Sequence, residues 1–198
     1  MQNPLSLHHE RMGATFEVGQ VPLRYTTVDE EYWAVRNAAG ISDLSHLGRL
    51  IISGKDKISF LNGLLTNDIT RLKENFGVHS VLLNTKARVM ADLWLSLEGD
   101  RVMLDTGESA AERVKTILDQ FIITEDVKIT DASENLLLLT VQGPSSAESV
   151  KGILGVETHG LGPLQSNARA EVGRCAGDDE RALCRSGRAA ARSVVLHR

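Results

Sequence analysis

Three short apolar strands follow one another closely in the middle of this chain, and they constrain its fold more than any other feature. Val78–Asn84 and Val89–Leu97 are joined by the basic turn Thr85-Lys86-Ala87-Arg88, and "EGDR" supplies a tight turn into Arg101–Asp105. Strands linked this tightly read as consecutive strands joined by short turns. Within "LLNTKARVMADLWL", Leu82–Leu95, the carboxylate Asp92 sits among hydrophobes. Neighbouring strand residues point to opposite faces, so Ala91 and Asp92 serve different surfaces. Trp94 shares the side of Asp92 and is expected to pack under a helix or a partner.

The flanking sequence turns this into an α+β pattern over residues 1–165. "MGATFEVGQVPLRY" alternates like a strand pair. In "TTVDEEYWAVRNAAG", Thr26 and Thr27 are N-cap candidates, Asp29, Glu30 and Glu31 complement the helix dipole, and Gly40 is the expected stop. "RLIISG" reads as a buried strand, and "GKDKISFLNGLLTND" spaces Ile58, Leu61 and Leu65 for an amphipathic helix. The strongest helix is "ESAAERVKTILDQFII", with Val114, Ile117, Leu118 and Phe121 as its apolar stripe. "DVKIT" and "NLLLLTVQG" follow as strands, the second apolar enough to be central. Pro144, after Gly143, then opens a further helix.

Composition narrows the function. A net charge of -4 gives no reason to expect nucleic acid or an anionic membrane as partner. No run approaches the roughly 18 apolar residues of a membrane span. The N-terminal "MQNPLSLHHERMG" has no signal-peptide pattern, so a cytoplasmic location is expected. Cys175 and Cys184 lack the partners of a zinc site or a disulfide framework, and adjacent His8 and His9 point in different directions, so no metal is expected. "GKDK" lacks the glycine spacing of a phosphate-binding loop. His46 reads as a loop-stabilising residue, and Lys86 and Arg88 as solvated turn charges. Residues 166–198 hold seven arginines, no lysine and no Phe, Trp, Tyr, Ile or Met. Such a segment offers little core and is expected to stand apart, either disordered or not the native continuation of the domain.

"VPLRY", "EEYWAVRNAAGISDLSHLGRLIISGKD", "FLNGLLTNDI", "LLNTKARVMADLWL" and "LLLLTVQGP" occur in that order along the chain. Together they resemble the N-terminal folate-binding region of the glycine-cleavage T-proteins, the tetrahydrofolate-dependent aminomethyltransferases. They are also similar to that region in the non-catalytic YgfZ-type folate-binding proteins linked to iron–sulfur cluster assembly. The resemblance runs from about residue 5 to about residue 155 and covers roughly the first half of a family chain. It implies an α+β folate-binding domain with mixed and antiparallel sheets and flanking helices, truncated at its C-terminus.

The same resemblance implies a mostly apolar cavity for tetrahydrofolate, drawing on Leu47, Val89, Ala91, Leu93, Leu104 and Asp105. It places Ala91 where catalytic members carry the first aspartate of "DDL", so no catalytic residue is assigned. Asp105 stands where the T-proteins have a pterin-reading Asn. Asp92, turned from Ala91 by strand parity, is expected to be a bystander. The "TKAR" turn is closer to the YgfZ-type pattern than to the Gly-rich turn of T-proteins. The expectation is a tetrahydrofolate-binding protein without full aminomethyltransferase activity, serving iron–sulfur cluster assembly. The alternative is a competent aminomethyltransferase with a lipoyl carrier protein as partner.

Overall fold

The computed structural model describes residues 5–16, 21–74, 76–155 and 193–197, the last as backbone. In chain order the elements begin α1 (Ser6–Arg11), α2 (Val28–Asn37), β1 (Gly40–Asp43), β2 (Leu47–Ser53), α3 (Lys57–Leu64) and β3 (Gly77–Leu83). They continue with β4 (Val89–Glu98), β5 (Arg101–Glu108), α4 (Ala111–Asp119), β6 (Lys128–Asp131), β7 (Leu138–Gln142), α5 (Ser146–Leu154) and β8 (Ser193–His197). The described residues fall into two compact units, one running through Leu44 and resuming at Asn135, the other Ser45–Glu134.

In the Ser45–Glu134 unit the short turns produce an antiparallel sheet of order β3-β4-β5-β2-β6. Alternation assigns its faces. Along β4, Ala91, Leu93 and Leu95 are buried while Asp92 and Trp94 are exposed. The inward set joins Leu50, Ile52, Leu82 and Leu104 with Phe60 and Leu61 of α3 and Val114 and Leu118 of α4 in one core. Burying side chains of this size contributes about 1.5–3 kcal/mol each, which is what holds both helices to the sheet. Of the stripe expected on α4, Val114 and Leu118 are buried, but Phe121 is 49% exposed. The helix ends at Asp119, and Phe121 lies in the turn beyond it, where helical spacing no longer applies. Gly54, at φ +107°, closes β2 where a Cβ would lie 2.0 Å from the Asp126 carbonyl oxygen.

The other unit has the sheet order β1-β7-β8, so the apolar "LLTVQ" of β7 is central, as expected. β1 runs antiparallel to β7 and β8 parallel to it. Thr27 caps α2 through a capping box: its hydroxyl accepts from the Glu30 N–H at 3.3 Å, and Glu30 accepts from the Thr27 N–H at 3.2 Å. The helix stops at Asn37, and Gly40, expected as its terminator, begins β1 instead. Gly143 of "VQGP" adopts φ +116°, and a Cβ there would approach the Ala38 carbonyl oxygen to 2.5 Å, so the motif is a close-packing requirement. The strand pair expected in "MGATFEVGQVPLRY" reduces to a single Thr15–Arg24 bridge, with residues 17–20 outside the described residues. Cys175, Cys184 and the arginine-rich run also lie outside them; of residues 166–198 the structure describes β8 alone. Among the described residues no helix is long and apolar enough to cross a membrane.

Candidate functional site

The face of the five-stranded sheet opposite the core carries its polar chemistry. Strand register aligns His79 of β3 with Trp94 of β4, Trp94 with Asp105 of β5, and Asp105 with Arg49 of β2. Four chemically distinct side chains therefore form one row across four strands. The Arg49 Nε–H donates to Asp105 Oδ1 at 2.8 Å, with the Arg49 side chain 2% and the Asp105 side chain 24% exposed. Burial pushes the Asp105 carboxyl up from its ordinary value, and the neighbouring guanidinium pulls it part of the way back. Burial likewise lowers Arg49, against the pull of Asp105. A charge pair this enclosed is a costly feature for a sheet face, and such pairs concentrate at sites that use them.

One step along β4, Asp92 lies on the same face. Its Oδ1 accepts from His79 Nε2 at 2.5 Å, and its main-chain oxygen accepts from the Thr106 hydroxyl at 3.1 Å. The His79 imidazole packs on the Trp94 indole with ring centroids 4.4 Å apart. Trp94 remains 43% exposed. The face thus combines an aromatic surface, an accessible carboxylate and a buried carboxylate–guanidinium pair, a donor and acceptor set suited to a flat, nitrogen-rich ring.

The six residues expected to line a ligand cavity do not share one surface. Ala91, Leu93 and Leu104 are part of the hydrophobic core beneath α3 and α4. Val89 is exposed at the start of β4, beyond a register shift, and Leu47 is half-buried at the start of β2. Only Asp105 lies in the polar row. The expected opposition of Ala91 and Asp92 is present, but Asp92 has the accessible side and Ala91 the packed one. Trp94, expected to pack under a helix or a partner, shares that accessible face, and neither α3 nor α4 covers it. The reason is that both helices pack against the Ala91 side, which alternation alone does not specify. His46 is exposed, as are Lys86, Ala87 and Arg88 of the hairpin turn.

His79 and Arg49 were not singled out from the sequence. Arg49 carries a legible signal, a lone charge inside the apolar run "LGRLIIS". In the other unit, His9 and Asp43 form a buried pair, Nε2 to Oδ2 at 2.9 Å, and Tyr25 reaches His9 Nδ1 at 2.5 Å. Desolvation, with Asp43 and Glu31 nearby, raises the Tyr25 hydroxyl. This chain of three ties α1 to β1 and acts structurally. Among the described residues, no group of three His, Cys, Asp or Glu is placed to hold a metal ion.

Residues 6–168 match the GCVT N-terminal domain family. An aminomethyltransferase of Bacillus pumilus is 31% identical over 175 residues, covering 86% of this chain and 48% of that protein. An aminomethyltransferase of Thermus thermophilus is 33% identical over 161 residues, covering 79% and 46% respectively. The crystal structure of glycine cleavage system aminomethyltransferase T from Bartonella henselae superimposes with a TM-score of 0.74 at 28% identity, over 83% of this chain and 46% of that one. The chain spans about half the length of the curated relatives it matches. Sequence match and backbone agreement extend across both units, and on these grounds the chain belongs to the GCVT N-terminal domain family.

Proposed function

We propose that this chain is a tetrahydrofolate-binding domain that holds the pterin against the polar face of the Ser45–Glu134 sheet. The carrying observation is the Arg49–Asp105 pair beside Trp94. A carboxylate held by a buried guanidinium accepts hydrogen bonds from ring and amine N–H groups, and an exposed indole offers a flat apolar surface. The residues present therefore fit a reduced pterin. Calorimetric titration with tetrahydrofolate tests this: saturable binding is expected, weakened roughly tenfold by Asp105→Ala, in line with a hydrogen bond to a charged group. Absence of binding at millimolar ligand overturns it.

A second reading, tetrahydrofolate-dependent aminomethyl transfer, is favoured by the position of Asp92. The absence of a carboxylate at residue 91 concerns packing, because Ala91 faces the core. Asp92 is the acid–base group on the polar face, close enough to Asp105 and Trp94 along the sheet to address a ring held there. The folate would supply the two nitrogens that accept the methylene carbon of an aminomethylated lipoyl carrier protein, whose C–S and C–N bonds break to release the reduced lipoyl thiol and ammonia. Formation of methylenetetrahydrofolate from an aminomethylated lipoyl carrier, abolished by Asp92→Asn, is the expected signature. Folate binding with no turnover instead supports a role beside iron–sulfur cluster assembly, the reading that the Thr85–Arg88 turn favours. With two cysteines in the whole chain, a reducing cytoplasmic setting suits either role.

A further inference from the structure

The His79–Asp92–Trp94 cluster has a geometry that sheet pairing alone does not require. Cross-strand neighbours such as His79 and Trp94 contribute about 0.2–1 kcal/mol to a sheet by contact. Here the imidazole is also held from its edge by Asp92, at 2.5 Å from Nε2 to Oδ1. Since a carboxylate only accepts, Nε2 carries the proton and the ring is fixed in one orientation. The indole beside it is therefore backed on one side by an anchored ring, while 43% of Trp94 stays exposed. Directly opposite Trp94 on β5 is Asp105. A planar ring stacked on the indole would present its polar edge to that carboxylate without leaving the row.

We propose that Trp94 is a stacking platform for the pterin ring, and that His79, clamped by Asp92, is the positioning residue that sets the angle of the indole. This rests on the folate reading and deepens it. It assigns ring recognition to side chains on the accessible side of β3 and β4, and none of it to the apolar core residues. The clamp also links the platform to the acid–base group, because the hydrogen bond that orients His79 orients the Asp92 carboxylate as well.

Trp33 and Trp94 are the two tryptophans of the chain, so a Trp33→Phe background leaves Trp94 as the sole indole reporter. Titration of that protein with 5-formyltetrahydrofolate, a stable reduced folate, is followed in parallel by tryptophan fluorescence and calorimetry. Saturable quenching with the calorimetric Kd is expected. Trp94→Phe should retain affinity within a few-fold, and Trp94→Val should lose roughly tenfold, the scale of one ring stacked on an aromatic side chain. His79→Ala should weaken binding and reduce the maximal quench per bound ligand, a change in signal amplitude that a purely structural loss of stability would not produce. If His79→Ala does not fold, the Trp94→Phe and Trp94→Val pair still decides the platform. Binding heat with unchanged Trp94 emission overturns this proposal and leaves the folate reading standing. No heat in any variant overturns both.

Discussion

Asp105 is subject to two opposed influences, and its titration follows from their balance. Burial raises the carboxyl above its ordinary value of 3.8, and Arg49 pulls it down. A carboxyl raised in the folded state holds its proton more tightly there than in the unfolded chain. Its contribution to stability is therefore present at low pH and is lost as pH climbs from 3.8 through the raised folded value. Carboxyl-detected NMR should find the Asp105 midpoint above 3.8, and Arg49→Gln should move it further upward by removing the one charge that lowers it. A midpoint at or below the ordinary value would contradict the burial of this pair. At the same scale, Asp43→Ala leaves the buried His9 N–H without its acceptor. Urea denaturation should record a loss of about 2 kcal/mol, the desolvation penalty of an unsatisfied buried donor. Neither pair was read from the sequence, because their partners stand 56 and 34 residues apart and no local spacing connects them.

Local chemistry governs the elements more directly. Every strand and helix named from the sequence between Thr26 and Leu154 is present, with boundaries shifted by a few residues, because alternation, capping and turn residues act within the segment itself. β1 was missed: four residues with one buried side chain carry too little pattern, and the strand exists through its pairing with β7. The hairpin between β3 and β4 shows the cost of a local compromise. Asn84 caps the turn by accepting from the N–H groups of Lys86 and Arg88, but Ala87 is held at φ +55°. An L-residue with a Cβ is strained there by about 1–2 kcal/mol, partly offset by the greater unfolded-state freedom of glycine. Ala87→Gly should therefore stabilise the protein by about 0.5–1 kcal/mol, read as a raised urea midpoint with unchanged m-value. A fall in midpoint would show that the turn does not hold this backbone.

At the scale of the whole molecule, α2 stands out among the described residues for its exposed apolar side chains. It buries none of its residues, and Val28, Tyr32 and Trp33 are each more than half exposed. Val28 and Tyr32, with Leu23 and Val35, line a shallow apolar groove edged by Arg24 and Glu31. Contiguous apolar surface of this kind favours association. Sedimentation should show mass rising with concentration in the native chain, and Tyr32→Glu with Trp33→Glu should suppress it; a concentration-independent monomer in the native chain would refute the expectation. The sequence by itself determined the strands of the five-stranded sheet, the hairpin turns, the cap of α2 and the rule that Ala91 and Asp92 face apart, because each is set by neighbours along the chain. Only the tertiary structure decided which of those two faces is accessible. Alternation makes the sides of β4 distinct but does not say which receives α3 and α4. Their packing on Ala91, Leu93 and Leu95 leaves Asp92 and Trp94 beside His79, Asp105 and Arg49 on the face where ligand chemistry is possible.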